Sequence, residues 1–169
     1  MRWIAACIVL AAFQDKEPSR TDYTKLEKLV LRDVQGLFGG QDFYLKKDGT
    51  LTVVIAKPVE GKPGLQASEY ASKLDEKEMA ALIELLKKHD FVSIRTQKRP
   101  GVPDEAHPEI TLRLEKQAAC TIRKWANEEH PDFDAIYKAL LDRCTAAAKT
   151  KAVREEKYDY AWRPKGFEE

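Results

Sequence analysis

The segment FYLKKDGTLTVVIAKP, residues 43–58, leaves little freedom of register. Asp48-Gly49 is a strong turn signal between two apolar-rich runs. A two-residue loop would put Leu45 opposite Thr52. A three-residue loop, Lys47-Asp48-Gly49, puts Leu45 opposite Leu51 and Phe43 opposite Val53. That register gathers Phe43, Leu45, Leu51, Val53 and Ile55 on one face and leaves Tyr44, Lys46, Thr50 and Thr52 on the other. Slipping by one residue would mix the faces, so the second register is predicted. Gly49 then takes the left-handed position of the turn, where a side chain costs energy.

The remaining elements follow from the same reasoning. Leu29, Leu31 and Val34 in KLEKLVLRDVQG predict a first strand, and GLFGG, residues 36–40, breaks it. Residues 57–64 form a loop punctuated by proline and glycine. A helix is predicted from Asp75, with Asp75 and Glu78 as a capping box and Leu74 and Met79 as a hydrophobic staple. Met79, Leu82, Ile83 and Leu86 make its apolar stripe, and Lys87, Lys88 and His89 suit its negative end. FVSIRT, residues 91–96, reads as a short strand. EITLRLEKQAACTIRKW, residues 109–125, reads as a second hairpin. Its Ile110, Leu112 and Leu114 oppose Cys120 and Ile122, which leaves Thr111, Arg113, Thr121, Arg123 and Trp125 on the other face. A last helix starts near Pro131, with a stripe of Phe133, Ile136, Tyr137, Leu140, Leu141 and Cys144. Two one-sided hairpins and two one-sided helices predict an α+β fold, a two-layer sandwich whose largely antiparallel sheet is covered by two helices.

The N-terminus, MRWIAACIVLAAFQDKE, has the order of a secretory signal. Arg2 precedes an apolar run of eleven residues from Trp3 to Phe13, with small residues at Ala11 and Ala12 and a polar stretch after it. Residues 1–13 are therefore read as a signal peptide, 14–25 as a linker, 26–148 as one α+β domain and 149–169 as a charged, aromatic tail, either disordered or docked. The expected location is extracytoplasmic, in the periplasm or outside the cell, with no membrane span once the signal is removed. Net charge is +1 for the whole chain, too small to gather nucleic acid or anionic lipid.

GxxxxGK[ST], HExxH, CxxC and GxSxG are all absent, and no cofactor motif or nucleophile is found. In GVPDEAHPEI, residues 101–110, Asp104, Glu105 and His107 admit two readings. The favoured one is a stiff polar loop whose prolines end one element and begin another. The alternative is a divalent metal site supporting hydrolysis. Cys120 and Cys144 both fall on apolar faces, as a disulfide or as two buried thiols. Phe38, Gly39 and Gly40 of the GLFGG loop, and Tyr44, Arg113, Arg123 and Trp125 of the outer sheet face, form the candidate binding surface. Aromatic residues with arginine are the composition protein contacts favour, and Trp125 is placed to stack with arginine. The same face can instead be covered by the tail, with its Tyr158, Tyr160 and Trp162.

The runs GLFGGQDFYLKKDGTLTVVIAKP, DEKEMAALIELLKKHDF and PDEAHPEITLRLE resemble the layout of uncharacterised bacterial exported domains. These have a glycine-rich turn, a DGT hairpin, a helix ending in His-Asp-Phe, a PDE loop, then a hairpin and a helix. More distantly, residues 26–144 resemble emfourin-like inhibitors of thermolysin-type metalloproteases, with Gly36-Leu37-Phe38-Gly39-Gly40 standing where those have Gly-Gly-Phe-Ala-Gly. The resemblance implies a non-enzymatic exported domain that binds a protein or an envelope component. Its specific form would be a protease inhibitor.

Overall fold

The computed structural model describes residues 21–100 and 105–168. The signal-like segment and Asp104 lie outside the described residues. The fold is α+β: seven antiparallel strands with two helices on one face. Strand β1 (Leu26–Gln35) lies inside the sheet, third from one edge. On one side it pairs with β2 (Gly39–Lys46), which continues through β3 (Thr50–Pro58), β4 (Leu65–Lys73) and β7 (Arg154–Lys157). On the other side come β5 (Glu109–Leu114) and β6 (Cys120–Arg123). Helix α1 (Glu76–Lys88) lies on the connection from β4 to β5, and α2 (Pro131–Ala147) follows β6.

The predicted hairpin register holds. Leu45 opposes Leu51 and Phe43 opposes Val53. Gly49 has φ +81°, and a Cβ there would lie 2.4 Å from the Leu74 carbonyl oxygen. The second hairpin pairs Ile110 with Ile122 and Leu112 with Cys120, again as the alternation requires. In β1, Leu26, Leu29 and Leu31 are all buried although the first step is an odd number of residues. A bulge between Leu26 and Lys28 restores the parity and turns all three toward the helices. Val34 falls on the opposite face, against the smaller outer cluster.

Asp75 caps α1 as the capping box demands: its side chain accepts from the Glu78 amide at 2.8 Å, and Glu78 accepts from the Asp75 amide at 3.0 Å. His130 caps α2, with Nδ1 accepting from the Phe133 amide at 3.3 Å. The two stripes meet the sheet in one core containing Leu45, Leu112, Leu82 and Leu140, all buried.

Three segments depart from expectation, and the tail takes one of its two open alternatives. FVSIRT is no strand: Phe91–Ser93 make one 3-10 turn, preceded by Asp90 at φ 43°. The Tyr23 hydroxyl donates to Asp90 (3.0 Å) and accepts from the Val92 amide (3.1 Å), which fixes that turn. Tyr23 is buried, so the fold already includes part of the stretch read as linker. Residues 65–73 form a strand the sequence did not announce, because small and polar residues occur on both its faces. The C-terminal segment pairs β7 with β4 and then crosses the outer sheet face.

Candidate functional site

The outer face is where the tail decides what is accessible. Tyr158, Trp162 and Phe167 pack there against Tyr44, Val54, Ala56, Leu65 and Ala67. Tyr44, expected in an exposed binding surface, is 1% exposed, with Trp162 and Phe167 edge-on to its ring at 6.3 and 5.4 Å. The covered-face alternative therefore applies to this part of the sheet, because three tail aromatics find an apolar floor there.

A buried carboxylate anchors the tail. Asp42, 2% exposed, accepts from the Tyr158 hydroxyl at 2.7 Å and from the Tyr44 hydroxyl at 3.4 Å. Its other oxygen accepts from the Asp33 amide at 3.3 Å. Asp33 in turn accepts from Tyr137 of α2. The chain tail–Asp42–Asp33–Tyr137 thus links the outer layer to the helical layer through the sheet. Burial raises the pKa of both carboxyls, and burial likewise pushes the Tyr44 phenol up to about 12.

These shifts set a pH dependence. A carboxyl whose folded-state pKa lies above its unfolded value binds its proton more readily in the folded protein. Stability from Asp33 and Asp42 is therefore full below their ordinary value of 3.8 and is lost as pH rises through the raised folded values. Denaturant midpoints followed from about pH 7 down to about pH 4 are expected to show the native protein gaining stability relative to Asp42→Asn. The lowered carboxyls of Asp22, Asp48 and Glu168 act oppositely but cancel in that difference. A difference that stays flat, or that grows toward neutral pH, contradicts the assignment.

Several of the remaining candidates gather around Trp125. Glu105 turns inward to pair with Arg99 and accepts from the Asn127 amide at 3.0 Å. His107 instead stacks on Trp125, with ring centroids 4.0 Å apart. Its pKa is lowered by burial and by the nearby Arg123. No metal-binding group of His, Cys, Asp or Glu occurs among the described residues. Trp125 does stack with an arginine, but with Arg99, at 5.2 Å. Arg123 bonds Glu109 across the hairpin and Arg113 pairs with Glu27 at 3.3 Å. Arg99 was missed because it lies 26 positions away in sequence, in an irregular loop. Cys120 and Cys144 are free thiols. Burial raises both, Cys144 to about 12, which makes them poor nucleophiles.

Two further accessible features bear on binding. The tip between β1 and β2 carries Leu37 and Phe38, 68% and 66% exposed. Gly39 and Gly40 hold that tip tightly: a Cβ on Gly39 would lie 2.1 Å from the Ala56 carbonyl oxygen, and one on Gly40 1.8 Å from that of Asp33. These glycines are thus structural, and the contact atoms of GLFGG belong to Leu37 and Phe38. The second feature is a groove of about 410 Å³ between the outer sheet face and the end of the tail.

The fold and these two features define a sheet-and-helix α+β domain with an apolar tip and a tail-walled groove. Comparison of the chain with family models, with curated proteins and with solved structures found no match. Among the described residues no helix is long and apolar enough to cross a membrane.

Proposed function

We propose that the chain is an exported, non-enzymatic binding domain that grips a partner protein through the tip at residues 36–40. The observation that carries this reading is the side-by-side exposure of Leu37 and Phe38 on a turn whose backbone is closely packed. Large apolar side chains on a rigid support lose little conformational entropy on docking, and such anchors dominate interface energetics. The signal-like N-terminus supports an envelope or extracellular partner.

The test compares two baits, the native domain and Leu37→Asp/Phe38→Asp, against the envelope fraction of the source cell. Both substitutions fall on exposed side chains, so melting temperature is expected to stay within a few degrees. Capture of a stoichiometric partner by the native bait is expected to fall at least about tenfold with the variant, from loss of about 1.4 kcal/mol or more. Equal capture by the two baits would remove the tip from the reading. Stoichiometric inhibition of a thermolysin-type protease, abolished by the same pair of substitutions, would give the partner its specific identity.

A further inference from the structure

The groove on the outer face is a second site, separate from the tip. Its floor is apolar, provided by Val30 and Phe167, and its walls carry four cations: Lys28, Arg32, Arg113 and Arg163. Like charges do not gather around one concavity without cost, since they repel most where water is partly excluded. The local acids offset them only in part: the buried Asp42 acts on Arg32 and Arg163 through space. Glu109 is held by Arg123, outside the four. Arg113 pairs with Glu27. Neither Lys28 nor Arg163 has a carboxylate at ion-pair distance among the described residues; Lys28 lies 5.5 Å over the Phe167 ring, and Arg163 donates to the Tyr160 and Trp162 carbonyls. Arg32 donates through one terminal nitrogen to the Tyr160 carbonyl at 3.0 Å, while its Nε is buried with no hydrogen-bond partner.

We infer that this groove binds a small organic oxyanion, a phosphate or carboxylate carrying an apolar group. Guanidinium forks match planar or tetrahedral oxyanions through paired hydrogen bonds, which a halide or a neutral polar molecule does not satisfy. The floor of Val30 and Phe167 takes the apolar part, and the volume falls within the range of roughly 300–1,000 Å³ usual for small-molecule sites. One end of the groove already holds a carboxylate, Glu168, whose pKa is lowered chiefly by hydrogen bonds from backbone amides, with Lys46 and Lys28 adding to the effect. Glu168 competes with an incoming anion, so its removal strengthens binding, whereas removal of a wall cation weakens it.

Titration calorimetry with 2-naphthyl phosphate as the probe tests this. The expected dissociation constant is about 10–100 µM, at least about tenfold tighter than for 2-naphthol or for inorganic phosphate alone. Arg163→Gln and Lys28→Gln are expected to weaken binding about threefold to tenfold each, and Glu168→Gln to tighten it about threefold. Because Arg163 also bonds the tail backbone, Trp162 fluorescence checks that the tail stays docked. Glu168→Gln adds no strain to the sheet and serves as the opposite-sign control. Vesicles of phosphatidylglycerol form a second arm. Binding to them in competition with naphthyl phosphate supports the oxyanion site and names a lipid headgroup as its source, while naphthyl phosphate binding without vesicle binding supports it and names a soluble ester. Naphthol binding as tightly as its phosphate, no binding of any anion, or indifference to all three substitutions overturns the proposal.

Discussion

Gly40→Ala is expected to lower stability by about 3 kcal/mol or more, enough to leave little folded protein in a marginally stable domain. Gly40 has φ +143°, a region that side chains rarely adopt, and it faces Val34 on β1 and Ala56 on β3. An added Cβ would sit 1.8 Å from the Asp33 carbonyl oxygen and 2.9 Å from its carbon. Both neighbours are backbone at the centre of a seven-stranded sheet, so no side-chain rotation relieves the clash and the strands themselves must part. Asp33 and Asp42 lie within the displaced segment, so the buried bridge to Tyr137 and Tyr158 is disturbed as well. Gly61→Ala is the matched control. Gly61 also has positive φ, +69°, but a Cβ there meets nothing within 4 Å. Its cost is the conformational one alone, about 1 kcal/mol. Urea midpoints of the two variants measure the difference, and equal losses would show that β1 and β2 do not approach each other as described.

Deleting residues 153–169 is expected to have an effect of similar size, on the order of 3 kcal/mol, together with a change in surface character. The deletion uncovers Tyr44, Val54, Ala56, Leu65 and Ala67 together, an apolar patch on an otherwise polar sheet face. It also takes the Tyr158 hydroxyl from Asp42, which then keeps fewer donors for a buried carboxylate. Release of the ordered tail offsets part of this through regained chain entropy. The expected readings are a lower melting temperature, a new fluorescence signal from an apolar dye, and a tendency to associate. Tyr158→Phe separates the two causes: it keeps the ring on the patch and removes only the hydroxyl, at a cost of about 1–2 kcal/mol. An unchanged melting temperature and no dye signal after deletion would mean that the tail adds nothing to the fold.

The two hairpins were legible because alternation has a period of two and a slip exposes every apolar residue at once. The start of helix α1 was legible at single-residue resolution, since its capping box joins residues three positions apart. The bulge at Leu26/Lys28 was hidden, although the odd spacing of Leu26 and Leu29 records it. Strand β4 carries Leu65 and Ala67 on one face and Tyr70 packed toward the other, too few apolar residues to declare either face. The candidate site was half legible: the sequence identified the GLFGG tip and placed Arg113 on the outer face, yet it could not tell that Gly39 and Gly40 are packing residues and Leu37 and Phe38 the exposed ones.

What the sequence determined by itself was the set of amphipathic pieces and the register within each hairpin, because those depend on neighbours a few residues apart. Only the tertiary structure decided what lies over the outer face. Strand β7, Arg-Glu-Glu-Lys, has no apolar residue and is held by backbone pairing to an edge more than 80 positions earlier. Arg99 finds Trp125, Tyr158 finds Asp42, and Arg163 and Phe167 line a groove over β1, in each case across a separation that no local period records. Such contacts form because a patch already assembled by the sheet is apolar and a buried carboxylate requires donors. Both conditions exist only after the strands have come together.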